Sequence, residues 1–471
     1  MRRRLGVSTA VAIAAVVVAI LVGIGIGVAA APSIIAPATV TSTVEKTETV
    51  TTTLGAGATA TVTTTVSAEK TATITSTVEK TKTVTTGVGG LTGEIPIGAL
   101  FPLSGVLGTF GQNNKVAAEI AVEEVNEFLA KSGAGWRFKL YVEDTETKPS
   151  VALEKLMSLH AKGVKVVFGP MASASVKALK EYADSNKIVV ISPSSTAPAL
   201  GIPGDYIFRF CPTDLIQGPI GPKFAKQFGV THIIFVWRGD AWGDGLEAEA
   251  KKTAESLGLT VAAEIRYAPE ATEFSAEAAT LADKVNALIS SGVSPDKIMV
   301  ELIAFEEAKM FLIAVSEYEV LSSVRWFGSD GTAKSAALLE DPKAAEFSAK
   351  VRFVNPIFTP TKTPKFKELT KKIKEELGRT PEAYSYNTYD AIWVTALAIM
   401  ATGTYDGEAI KNVLPDIVTH YYGASGYIPL NEAGDRAFAD YELWEIVKTD
   451  EGYEWKATGI YSFATDTVTW S

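Results

Sequence analysis

The residues best suited to chemistry stand in short loops that follow apolar, strand-like runs. Ser173 lies in 169–175 (GPMASAS), Ser194, Ser195 and Thr196 in 192–196 (SPSST), and Asp330 in 328–331 (GSDG). A further loop runs through 101–105 (FPLSG) to 109–111 (TFG). Hydroxyls and free backbone N–H groups at a helix start receive a carboxylate, because orphan N–H groups and the helix dipole favour negative charge there. An acid facing them across a cleft would receive an ammonium, so the set suits a zwitterion. Each residue also has a plainer reading: Ser173 as a helix cap, Ser194 to Thr196 as turn residues, and Asp330 before Gly331 as a turn aspartate.

Other chemistry is not supported. No HExxH, GxSxG or P-loop pattern occurs, so the chain reads as a binder and not an enzyme. The run 23–27 (GIGIG) imitates a nucleotide loop but lies inside an apolar segment. His160, His232 and His420 are far apart and read as structural, and Cys211 is alone, which excludes an intramolecular disulfide and a cysteine-based metal site. No cofactor or metal is expected. Asp240, Asp244 and Glu247 suggest a metal on composition, but Asp244 and Glu247 more simply occupy the first turn of a helix. Glu306 and Glu307 precede a helix and favour its dipole. Tyr389-Asp390 holds either a hinge or a buried core pair.

The elements that must position these loops alternate. Strands are expected at 94–101, 138–142, 164–168, 188–191, 233–237 and 261–267, with helices at 115–128, 151–159, 176–183, 246–257 and 276–288 between them. Such alternation gives parallel sheets covered on both faces, and ligands then sit beyond the carboxyl ends of the strands. There are too many units for one sheet, and a change of composition near 211–214 marks a crossing into a second lobe. Residues 440–447 and 453–463 flank TDEG and read as a hairpin.

The amino end differs. After Arg2, Arg3 and Arg4 no charge occurs until Glu45, and 5–31 is an apolar run of 27 residues. About 20 suffice to span a bilayer, and the arginines keep the amino end in the cytoplasm. A signal peptide is the rival reading, with small residues at 28–32 for cleavage, but its apolar region is usually about 7–15 residues. Threonine fills 21 of the 48 positions from 39 to 86, and TSTVEKTETVTT at 41–52 returns as TSTVEKTKTVTT at 75–86. Lone valines among threonines cannot build a core, so an extended stalk is expected. Residues 94–471 carry a net charge of −13, which lacks the basic footprint of a nucleic-acid binder.

The motifs PLSGVLGTFG, VVFGPMASAS, VVISPSSTAPAL, WRGDAWGDGL, WFGSDG and YNTYDAIWVTALA, in that order, resemble the extracytoplasmic solute-binding proteins of branched-chain amino acid ABC transport. These are type I periplasmic binding proteins of the Leu/Ile/Val-binding kind. The resemblance implies an α/β fold of two Rossmann-like lobes with parallel sheets, joined by a three-strand hinge and here preceded by a membrane anchor and stalk. The expected division is 1–35 anchor or signal segment, 36–93 stalk, 94–212 plus about 333–425 first lobe, and 213–332 plus about 426–471 second lobe. It also implies that Ser173, Ser194 and Thr196 hold the ligand's carboxylate and ammonium, with Ser195 able to substitute, and that Asp330 pairs with the ammonium. Phe110 and Trp242 match aromatic positions lining the cleft. The implied function is an anchored cell-surface receptor that delivers an uncharged amino acid to ABC permease subunits. A ligand sensor, or a binder of a small amide or urea-like solute, is the alternative.

Overall fold

A computed structural model of the chain describes the backbone of 50–54 and 58–62 and all of 90–470. The expected anchor at 5–31 and most of the threonine-rich stretch lie outside the described residues. Strands Val50–Leu54 and Ala58–Val62 pair antiparallel, Val50 opposite Val62. The backbone is extended in both strands. No helix among the described residues is long and apolar enough to cross a membrane.

Thr86–Ser471 forms one compact unit built on two parallel sheets. The first runs Asp435–Arg436, Ile207–Pro212, Val189–Ser192, Val166–Phe168, Gly93–Phe101, Trp136–Asp144. The second runs Arg325–Phe327, Ile298–Ile303, His232–Arg238, Thr260–Tyr267. In each, the first strand in sequence sits inside the sheet with later strands placed on both sides. That reversal of order opens a crevice at the strands' carboxyl ends. In the first sheet it falls between Gly93–Phe101 and Val166–Phe168, and in the second between His232–Arg238 and Ile298–Ile303. The loops at 102–107, 169–172, 239–240 and 304–307 are thereby brought to the crevices.

Burial on both faces follows the strand period. Along His232–Arg238, Ile234 and Val236 join one apolar cluster while Ile233, Phe235 and Trp237 join another. An antiparallel sheet, Asn355–Phe358, Tyr441–Thr449, Gly452–Ser462, Thr467–Trp470, extends the second lobe through the bridge between Phe327 and Val354, and contains the expected hairpin. The chain passes between lobes after Pro212, after Phe358 and between Arg436 and Tyr441. Two of these passages run side by side, where Thr359 N–H donates to the Asp440 carbonyl at 2.8 Å.

Helix Pro342–Val351 falls in the stretch expected in the first lobe. Its Ala344, Ala345, Phe347 and Val351 instead join the apolar cluster of the second sheet, with Leu338 and Phe353. At the other end Asp435–Arg436 pairs with Ile207–Pro212 at the edge of the first sheet.

Candidate ligand site between the lobes

The first-lobe side of the site is made by strand ends. Gly169 turns the chain out of Val166–Phe168 at φ +89°, and a Cβ there would lie 2.2 Å from the Leu100 carbonyl oxygen. Only glycine fits. Four residues later Ser173 opens helix Ser173–Ser185, whose cap position, Ala172, offers no side-chain acceptor. The first N–H groups of the helix therefore depend on another acceptor. Ser173 Oγ accepts from Ala197 N–H at 3.2 Å, and Ser194 Oγ donates to the Met171 carbonyl at 3.1 Å. Both serines line the cavity.

Ser195 and Thr196 do not line it. Ser195 is buried, and its carbonyl accepts from Arg209 at 3.0 Å. Thr196 Oγ1 donates to Asp214 Oδ2 at 2.9 Å. Arg209 forms a buried bidentate pair with Asp435, both bonds 2.6 Å, and also donates to the Ala197 carbonyl at 2.7 Å. Its charge is thus committed to holding this loop.

Asp330 faces that wall from the second lobe. Its Oδ1 accepts from Gln217 Nε2 at 3.0 Å, its backbone N–H donates to Gln217 Oε1 at 2.8 Å, and its Oδ2 accepts from the Tyr384 hydroxyl. Gln217 Nε2 also donates to Asp214 Oδ1 at 2.8 Å. All four residues are buried. Burial pushes the carboxyl of Asp330 above the usual range. Asp214 is pushed well above it, by burial first and then by the charge of Asp330. Two carboxyl groups thus share one amide, and no lysine or arginine lines the cavity. An arriving cation would supply what this end lacks.

The remaining wall is apolar. Phe110, Leu107 and Met171 come from the first lobe, and Trp242 and Phe305 from the second. The last two rings stack at 4.5 Å and 17°, with the Arg238 guanidinium 4.2 Å over Phe305 on the far side. Asp240 caps helix Ala241–Ser256 through Trp242 and Gly243 N–H, both 3.0 Å, and pairs with Arg238 at 2.7 Å. Gly331 closes this side: a Cβ there would lie 2.5 Å from the Ala304 carbonyl oxygen and 2.9 Å from the Trp242 ring. The space among these side chains, its open mouth included, is about 300 Å³.

The lobes touch in front of this cavity. Glu306 N–H donates to the Val106 carbonyl at 3.0 Å. Its carboxylate accepts from Thr109 N–H at 3.1 Å, from the Thr109 hydroxyl, and from Ser335 Oγ at 2.7 Å. Glu306 is therefore a clasp between lobes and not merely a helix-dipole residue. Glu307 pairs with Arg238 and accepts from the Tyr267 hydroxyl at 2.9 Å. Asp390 accepts from Ala424 N–H at 2.7 Å, Ser425 N–H at 2.7 Å and the Tyr421 hydroxyl at 2.9 Å. Tyr389-Asp390 is thus a buried tie within the first lobe. Glu247 sits a turn beyond the first turn of its helix, where Asp244 stands.

Of the seven residues expected at the site, Phe110, Ser173, Ser194, Trp242 and Asp330 converge on the cavity. Sequence reasoning missed Leu107, Met171, Phe305, Gly331 and Tyr384, which also line it. The signal for Phe305 was its place directly after a buried strand. Tyr384 stands just ahead of the YNTYDAIW motif.

The sequence pattern of the family described as "Receptor family ligand binding region" matches residues 113–449. An uncharacterized protein of Methanocaldococcus jannaschii is 35% identical over 394 residues, 80% of this chain and 91% of its own. The leucine-, isoleucine-, valine-, threonine- and alanine-binding protein of Pseudomonas aeruginosa is 25% identical, over 74% of this chain and 89% of its own. Among solved structures, the leucine binding protein LivK of Thermotoga maritima superposes with a TM-score of 0.63 at 21% identity, covering 79% of this chain and 99% of its own. A solute-binding protein of R. palustris in complex with 4-hydroxybenzoate gives 0.66 at 17% identity, covering 78% and 97%. The chain belongs to the receptor ligand-binding family and has the type I periplasmic binding fold.

Proposed function

We propose that the protein is the solute-binding component of an ABC transporter. In this reading it captures an uncharged amino acid between its lobes outside the cytoplasm and presents the closed form to permease subunits. The observation that carries this is the polarity of the cavity. Helix Ser173–Ser185 turns an uncapped amino terminus and Ser173 toward one end. Asp330, joined through Gln217 to Asp214, stands at the other without a lining cation. A carboxylate takes the first end and an ammonium the second, while Phe110, Trp242 and Phe305 receive an apolar side chain. A benzoate would bring no cation to the two acids. Anchoring through 5–31 fits the apolar run and its arginines, and would keep the body at the cell surface.

The test is calorimetric titration of Thr86–Ser471, the compact unit, with the common amino acids, benzoate, urea and short amides. Uncharged aliphatic or aromatic amino acids are expected to bind. Lysine, arginine, aspartate and glutamate should be rejected, because their charged tips would be buried unpaired. Binding of benzoate or an amide, with none of any amino acid, would overturn the proposal.

A further inference from the structure

The far pole of the second lobe carries another cavity, open to solvent on one side and about 760 Å³ with its mouth included. It shares no residue with the cavity between the lobes. Arg325 lies on its wall and opens strand Arg325–Phe327. The carboxyl end of the same strand leads to Asp330, so the two cavities lie at opposite ends of one sheet.

One side of it is aromatic. Phe224 and Phe228 of the helix Ile220–Gln227 region sit 4.8 Å apart by ring centroids, and Trp470 lies 5.5 Å and 5.4 Å from them. The Arg325 guanidinium lies 4.6 Å over the Phe228 ring.

The charges around the wall do not balance. Glu445 is taken by Arg352 through two bonds of 3.0 Å, and Asp296 pairs with Lys297 at 3.2 Å. Each acid thus has its cation. Arg325 and Lys350 also line the cavity, and among the described residues neither has an ion-pair partner. Arg325 Nε and Trp470 Nε1 are buried donors without an acceptor. A surplus of cations beside an aromatic wall stands out in a chain of net charge −10.

We propose that this cavity is a second ligand site, which takes an organic anion whose acid group meets the Arg325 guanidinium and whose flat apolar body lies against Phe228 and Trp470. A guanidinium fixed on an aromatic face keeps its in-plane donors for a carboxylate. An inorganic anion would leave the aromatic wall unmatched, and a neutral aromatic compound would leave the guanidinium unpaired.

The test uses the full-length chain and 2-naphthoate as probe, titrated by calorimetry. Saturable binding is expected, equally tight in Trp242→Ala, which removes an aromatic wall of the cavity between the lobes, and about tenfold or more weaker in Arg325→Gln, the loss of one charge-assisted contact. Arg325→Lys keeps the charge and should bind more tightly than Arg325→Gln. Inorganic phosphate and 2-naphthylmethanol should each bind at least about tenfold more weakly than 2-naphthoate. Undiminished binding in Arg325→Gln overturns the proposal, as does loss of binding in Trp242→Ala, which would place the probe between the lobes. Phosphate binding as tightly as 2-naphthoate would mean an adventitious ion only, and equal binding of the neutral alcohol an apolar pocket only. Either result also overturns it.

Discussion

Varying the pH of a ligand titration probes the acid pair on the unaltered protein. Gln217 Nε2 donates to Asp330 Oδ1 at 3.0 Å and to Asp214 Oδ1 at 2.8 Å, so the two oxygens lie less than about 6 Å apart. At an effective dielectric constant of about 20, two unit charges at that distance repel by about 3 kcal/mol. Burial adds to this, and both carboxyl groups titrate above their usual range. The empty pair therefore keeps a proton at a pH where separate carboxyl groups have lost theirs. An ammonium favours the fully ionised pair, so binding should release up to one proton. Affinity should then rise by up to tenfold per pH unit below the pKa of the empty pair and level off above it. Calorimetry in phosphate and in Tris reads the released proton as a difference in apparent enthalpy. Asp214→Asn removes the repulsion and should move the slope to lower pH. Equal enthalpies in the two buffers, with flat affinity from about pH 5 to pH 8, would refute the reasoning.

Four further outcomes are expected. Asp330→Ala should weaken amino acid binding by about a hundredfold or more, since breaking a buried pair costs about 3–5 kcal/mol; affinity equal to the parent in a titration would make Asp330 a turn residue only. Glu306→Gln should quicken ligand release in stopped-flow measurements by about tenfold, because its carboxylate joins Thr109 to Ser335 across the lobes without lining the cavity; an unchanged off-rate would remove it from closure. Burial and the charge of Glu264 raise Glu247 to about 7, and burial and the charge of Glu247 raise Glu301 well above the usual range. The stability each group contributes is complete below its unfolded-state pKa and is lost as pH rises toward its raised folded-state pKa, which for Glu247 is about 7, so Glu301→Gln should melt higher than the parent at pH 8 but not at pH 5. Trp242→Ala should weaken the largest ligands more than alanine or serine, by about 1–3 kcal/mol in competitive titrations.

The site was legible in the sequence where a single strand end places a residue, and hidden where distant segments meet. Ser173, Ser194 and Asp330 were legible because each lies in or just past the loop after a buried strand, and parallel sheets put such loops at a crevice. Phe110 was legible as a wall residue but not as part of a helix. Asn113 and Asn114 break the apolar pattern, so the helix was expected to begin at 115, whereas it runs Gly108–Lys131. Those asparagines are buried and satisfied by Glu382, which accepts from Asn114 Nδ2 at 2.8 Å and also from Asn113. A polar residue on a core face is thus consistent with a helix once a partner 268 positions away is in place. Thr196 shows the same limit in the other direction. Its hydroxyl could have pointed to the cavity, but Asp214, the first residue of a new helix, claims it from the second lobe. Gln217 and Tyr384 both reach Asp330 from far along the chain, and no local spacing announces either. The same distant residues decide the chemistry. Burial alone raises the carboxyl of Asp330, and Gln217 ties it to a second buried acid, Asp214. With them, a cation is what that end of the cavity lacks, while Ser173 and the uncapped helix behind it offer donors at the other end.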